Sequence, residues 1–166
     1  QTVVIATKFS SIFDEDSRQV TGMSTTPAYI REACEASLRR LNTDFIDLYQ
    51  FHANGFPASD APEVRDTLES LVAAGKIRAY GWSTDYPERA AVFAEGAYCS
   101  AIQHQLNVLD DAPEMIAFCE RMGLASSGDR IKVSGADDML IVRARCCNPI
   151  HGEKIVGYIT RGKCVS

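Results

Sequence analysis

Four polar residues stand at or near the ends of apolar runs, and their types suit carbonyl chemistry. Lys8 closes VVIATKF (3–9), His52 closes FIDLYQFH (45–52), Ser83 closes KIRAYGWS (76–83), and Gln103 lies within CSAIQHQLNV (99–108). A lysine and a histidine at one place can hold and polarise a carbonyl. The imidazole donates a hydrogen bond, and the ammonium lowers the pKa of a neighbour. Spacing alone leaves a plainer alternative open: a solvated lysine at a strand end and a histidine satisfied within its loop. A second group is sulfur-rich. Cys146 and Cys147 open the turn-rich stretch CCNPIHGE (146–153), with His151 inside it and Cys164 beyond. Two sulfurs do not make a tetrahedral zinc site, so zinc would need His151 and Cys164 as well. Free thiols in a turn are the expectation.

The elements that must position these residues follow from periodicity. The four apolar runs read as strands, the first of them a buried-strand run rich in β-branched residues. Amphipathic helices separate them. Thr26-Pro27 reads as an N-cap followed by the first helical residue. After it, Ile30, Ala33, Cys34, Ser37, Leu38 and Leu41 recur at helical spacing, with Arg31, Glu32, Glu35, Arg39 and Arg40 opposite. Further helices are expected from about Pro62 to Ala74 with Gly75 as a stop, from Pro87 to Glu95, and from Pro113 to Met122. GLAS (123–126) begins a fifth strand, and residues 10–25 read as a polar loop. Repeated strand–helix units predict a parallel sheet, because each parallel crossover needs a helix to return the chain. The expected class is α/β, a partial (β/α) barrel with parallel strands. In that architecture strand carboxyl ends converge on one mouth, which would gather the four polar residues.

From Ser126 the character changes. Residues 127–134 read as a junction. Residues 135–166 read as a small β-rich element, with strand-like MLIVRAR (139–145) and KIVGYIT (154–160). The first domain then spans residues 1–126. The chain of 166 residues carries 22 carboxylates against 17 Lys and Arg, a balance that argues against nucleic-acid and membrane-surface partners. No apolar run reaches the roughly 20 residues of a membrane span. Cys34, Cys99 and Cys119 fall among apolar residues and read as reduced core thiols of a cytoplasmic protein.

Four segments carry a family resemblance. SLRRLNTDFIDLYQFH (37–52), VVIATKF (3–9), LVAAGKIRAYGWST (71–84) and AIQHQLNVLD (101–110) resemble segments of the aldo-keto reductases, in that family's order. The resemblance implies that Lys8 is the catalytic lysine and His52 the active-site histidine. It implies that Ser83, Thr84 and Gln103 face the nicotinamide carboxamide, with Thr84 standing where the family usually has asparagine. The family reduces aldehydes and ketones with NADPH, a tyrosine giving the proton. That tyrosine and its partner aspartate belong to strands ahead of the one ending in Lys8, and the phosphate-binding strands lie beyond about Ala125. These gaps, and an opening that begins inside a strand, imply a segment of a longer protein. They also imply no complete inherited active site, at most residual carbonyl reductase activity, and no resident cofactor beyond an inherited affinity for NADP.

RCCNPIHGEKIVGYITRG (145–162) resembles part of the small zinc-finger-like regulatory module of RelA/SpoT-type (p)ppGpp synthetases and hydrolases. In that family paired cysteines join a later histidine and cysteine; His151 and Cys164 depart from the usual positions. Two unrelated resemblances in one chain imply a chimera, natural or constructed. A partial barrel exposes sheet edges, so a homo-oligomer paired through those edges is expected.

Overall fold

The structure, a computed structural model, describes residues 4–14, 16–106 and 111–126. In chain order it contains β1 (Ala6–Phe9), β2 (Ser11–Asp14), β3 (Gln19–Met23), α1 (Pro27–Leu41), β4 (Ile46–Phe51), α2 (Ala61–Ala73), β5 (Ile77–Ser83), α3 (Pro87–Ala94), β6 (Cys99–Gln103), α4 (Pro113–Met122) and β7 (Ala125–Ser126). Five strands form one parallel sheet in the order β1-β4-β5-β6-β7. From β4 onward, strands consecutive in the sheet are joined by one helix each, the βα repeat of a partial barrel.

Local chemistry explains the helices. The Thr26 side chain accepts from the Tyr29 N–H at 3.3 Å, and Pro27 takes the first helical position. α1 ends where Asn42 turns left-handed at φ 51°, which returns the Asn42 and Thr43 N–H groups to Arg39 O and Leu38 O. Arg39 and Arg40 lie in its last turn, where the helix dipole favours cations. After α2, Gly75 supplies the expected stop at φ 71°.

Strand side chains alternate between two faces, and the faces differ in kind. On the helix side, Phe9, Tyr49, Phe51, Tyr80, Trp82 and Ile102 pack with Ile30, Cys34, Val64, Leu68, Phe93 and Met115. Phe51 and Phe93 stack at 5.9 Å, and Trp82 tilts against Phe93 at 4.8 Å. Buried aromatic pairs add about 0.5–1.5 kcal/mol beyond their area. On the barrel side Leu48, Ala101 and Ala125 cluster with Ala6 and Ala79. Gly81 lies on that side too. A Cβ there would come within 2.2 Å of the Ala101 carbonyl, so β5 and β6 approach as closely as they do only with glycine. All six residues of β4 are buried, as a central parallel strand requires.

The structure departs from sequence expectation in three places. Residues 10–25 are not simply a loop: β2 and β3 pair as an antiparallel hairpin with a register shift between Ile12 and Phe13. Its side chains are largely exposed, Phe13 at 54% and Val20 at 62%, so no alternation of buried and open positions marked it. The first strand is shorter than VVIATKF, because only Ala6–Phe9 finds register with Leu48–Phe51. The fourth predicted strand, 99–108, leaves the ladder after Gln103, at His104, Gln105 and Leu106; 107–110 lie outside the described residues. The predicted β element at 135–166 also lies outside them. Cys34, Cys99 and Cys119 are free thiols. Among the described residues no helix is long and apolar enough to cross a membrane.

Candidate active site

The carboxyl ends of β1, β4, β5 and β6 form one rim, and it gathers the residues singled out by type. Lys8 is paired in register with Gln50, and the His52 N–H donates to the Phe9 carbonyl at 3.0 Å, setting His52 one step beyond β4. Ser83 and Gln103 are register partners across β5 and β6. By strand alternation Lys8 shares the barrel face with Ala6, Ser83 with Ala79, and Gln103 with Ala101.

Thr84 is placed differently. It is buried, its N–H donates to the Gln103 carbonyl at 2.9 Å, and its hydroxyl accepts from the Tyr86 N–H at 3.4 Å. That hydroxyl also donates to the Asn54 carbonyl at 3.5 Å, so it lies between the loops after β4 and β5.

Electrostatics at the rim follow from partial desolvation. Burial holds the Lys8 ammonium below the usual lysine pKa. The His52 imidazole sits below its ordinary value, first through burial and second through the charge of Lys8. Each effect favours a neutral His52 at pH 7, with one ring nitrogen left to donate. Below this pair, the Gln50 Nε2 is buried with no hydrogen-bond partner.

Three supporting residues escaped sequence reading. Ser10, buried at φ 112°, donates from its hydroxyl to the His52 carbonyl at 2.6 Å and accepts the Ser24 N–H at 2.8 Å. Positive φ in a non-glycine residue is strained, and here it ties the hairpin base to the histidine. The Trp82 indole N–H donates to the Ala53 carbonyl at 3.1 Å, fixing the residue that follows His52. Asp85 joins Asn54 and Gln105 through hydrogen bonds of 2.6–2.9 Å. A serine just past a strand and an Asx residue in a loop were visible as types; what they reach across was not.

Two of the described tyrosine hydroxyls are engaged elsewhere. The Tyr29 hydroxyl donates to Ser11 O at 2.7 Å, and that of Tyr80 to Glu69 Oε1 at 2.6 Å. Tyr49 is buried on the helix side, and burial pushes its hydroxyl pKa up. Tyr86 lies under the Arg89 guanidinium, 3.9 Å from ring centre, and Tyr98 is exposed. Cys146, Cys147, His151 and Cys164 lie outside the described residues. Among the described residues no three His, Cys, Asp or Glu side chains converge to hold a metal.

Residues 1–127 match the aldo/keto reductase family. The chain belongs to that family. Residues 131–166 match the RelA/SpoT RIS domain, so two ancestries meet in one chain. An uncharacterised oxidoreductase of Bacillus subtilis is 35% identical over 114 residues, covering 68% of this chain and 36% of that protein. The holo form of an aldo-keto reductase from Bacillus halodurans superposes at TM-score 0.65 with 28% identity, covering 85% of this chain and 50% of that one. An aldo/keto reductase from Klebsiella pneumoniae in complex with NADP and acetate superposes at TM-score 0.55 with 27% identity, over 75% of this chain and 41% of that one. The chain thus spans about a third to a half of the length of these relatives.

Proposed function

We propose that the aldo/keto reductase segment builds the nicotinamide-facing and carbonyl-polarising side of an oxidoreductase site, and that carbonyl turnover by this chain is at most residual. The convergence of Lys8, His52, Ser83 and Gln103 on one rim carries the first half of this reading. The donor set suits the nicotinamide end of NADPH. A carboxamide needs both an acceptor and a donor, and a serine hydroxyl beside a glutamine amide offers both. The NADP complex of the Klebsiella relative supports the same cofactor.

When bound, the cofactor supplies hydride. The residues of this chain do the rest by position. His52, neutral at pH 7, donates from its ring N–H to the carbonyl oxygen, and the Lys8 charge stabilises the negative charge developing there. Ser83 and Gln103 orient the carboxamide so that one ring face meets the carbonyl. Reduction also needs a proton for the new alkoxide. None of the described tyrosine hydroxyls discussed above pairs with Lys8 or His52, and loss of one acid catalyst typically costs about 100- to 10,000-fold. That supports weak turnover.

β1 and β7 are the outer strands of the described sheet, and we propose homo-oligomer formation through such edges, to be read by light scattering. Function is tested by titrating NADPH to millimolar concentration against Trp82 fluorescence. Saturable quenching is expected, with aldehyde reduction that is slow and disappears in His52→Ala. A cooperatively melting protein with no saturable binding would refute the reading.

A further inference from the structure

The residues around Asp85 show a regularity that neither the fold nor the proposed chemistry demands. Asn54 lies two residues beyond His52, Asp85 two beyond Ser83, and Gln105 two beyond Gln103. Asp85 is hydrogen-bonded to both of the others across the loops following β4, β5 and β6. Asn54 Nδ2 donates to Asp85 Oδ2 at 2.8 Å, while Asn54 Oδ1 accepts the Asp85 N–H at 2.9 Å. The other carboxylate oxygen, Oδ1, accepts the Gln105 N–H at 2.6 Å. Arg89 Nη1 donates to the Asn54 carbonyl and extends this chain of contacts to α3.

We propose that Asp85 is a positioning residue: one carboxylate latches three loops, so that His52, Ser83 and Gln103 keep one common geometry. This rests on the site reading above. The chemistry calls for an acid at this position. Only a carboxylate offers an acceptor oxygen to each side with no donor of its own, whereas an amide would turn an N–H₂ toward one of the two donors. Two of the three bonds end on carboxylate oxygens, which are stronger acceptors than amide oxygens. The Trp82 indole and the Thr84 backbone also cross between these segments, and the Asp85 carboxylate adds bonds that reach both neighbouring loops at once.

An exchange of partners tests this without cofactor. Asp85→Asn is expected to set amide against amide at the Asn54 contact, raising hydrogen exchange at the Asp85 and Gln105 amides about tenfold. It is also expected to shift the His52 ring resonances. The double variant Asp85→Asn with Asn54→Asp restores every donor–acceptor match, so both readouts should return to the wild-type values. Unchanged exchange in the single variant, or no return in the double variant, overturns the latch. Lost protection with unmoved His52 resonances overturns the positioning role, leaving a loop contact only. NADPH binding is followed in parallel. Its absence in wild type would sink the proposed function, while the exchange cycle still judges the latch.

Discussion

Replacing Trp82 by phenylalanine isolates the link between the aromatic core and the catalytic rim. The indole is fully buried and does two things at once: it packs against Phe51 and Phe93, and it donates to the Ala53 carbonyl. Phenylalanine keeps most of the first and removes the second. An orphaned buried carbonyl costs about 1–3 kcal/mol. Two lost ring carbons, at about 0.8 kcal/mol each, add about 1.5 kcal/mol. Together the loss is about 3 kcal/mol, a large part of the roughly 5–15 kcal/mol that stabilises an ordinary domain. With a urea m-value of about 2 kcal/mol/M, the midpoint falls by about 1.5 M. Far-UV circular dichroism reads the transition, since the substitution removes the only tryptophan. Phe93→Leu serves as control, disturbing the same cluster without stranding a polar group. A Trp82→Phe midpoint within about 0.3 M of wild type would show that the carbonyl is satisfied some other way and that the indole does not fix the chain beyond His52.

Two further outcomes follow from local geometry. His52 has a folded-state pKa below its unfolded value, so the unfolded state binds more protons in the interval between them. Stability present above the ordinary imidazole range is therefore lost as pH falls toward the depressed value. His52→Gln should flatten that part of the curve in melts between about pH 7 and 5. Gly96→Ala should destabilise, because its Cβ would fall 1.7 Å from the Tyr80 hydroxyl, which is held by Glu69. Overpacking of this kind costs about 1–3 kcal/mol or more, and calorimetry should show the melting temperature drop by several degrees. An unchanged melting temperature would show that the Tyr80–Glu69 pair moves aside freely.

How far the sequence was legible depended on the range of each interaction. α1 was readable to the residue, because Thr26, Pro27 and the apolar stripe through Ile30, Cys34 and Leu38 act within one helix. The parallel sheet followed from the repeated units, and strand ends placed Lys8, His52 and Ser83 on one rim. The hairpin of β2 and β3 was missed because most of its side chains stay exposed and no period-2 burial pattern arises. The loss of strand beyond Gln103 was missed because the apolar residues after it look like strand while the ladder to β7 is only two pairs long. Ser10, Asn54, Asp85 and Gln105 act across 20 to 42 positions of sequence. Nothing local could reveal those bonds.

The two faces of the sheet assign cohesion unequally. Its aromatic mass lies outward, against the chain's own helices, while the apolar cluster of the inner face is mostly alanine. Small inner side chains interlock little with whatever stands across the barrel axis. Most of the side-chain packing that holds this layer together is thus supplied by its own helices, as where Phe51 meets Phe93. Such a layer is a natural unit of exchange. A second family match follows it directly in this chain, and its backbone ladder edges are the main thing any new context must satisfy.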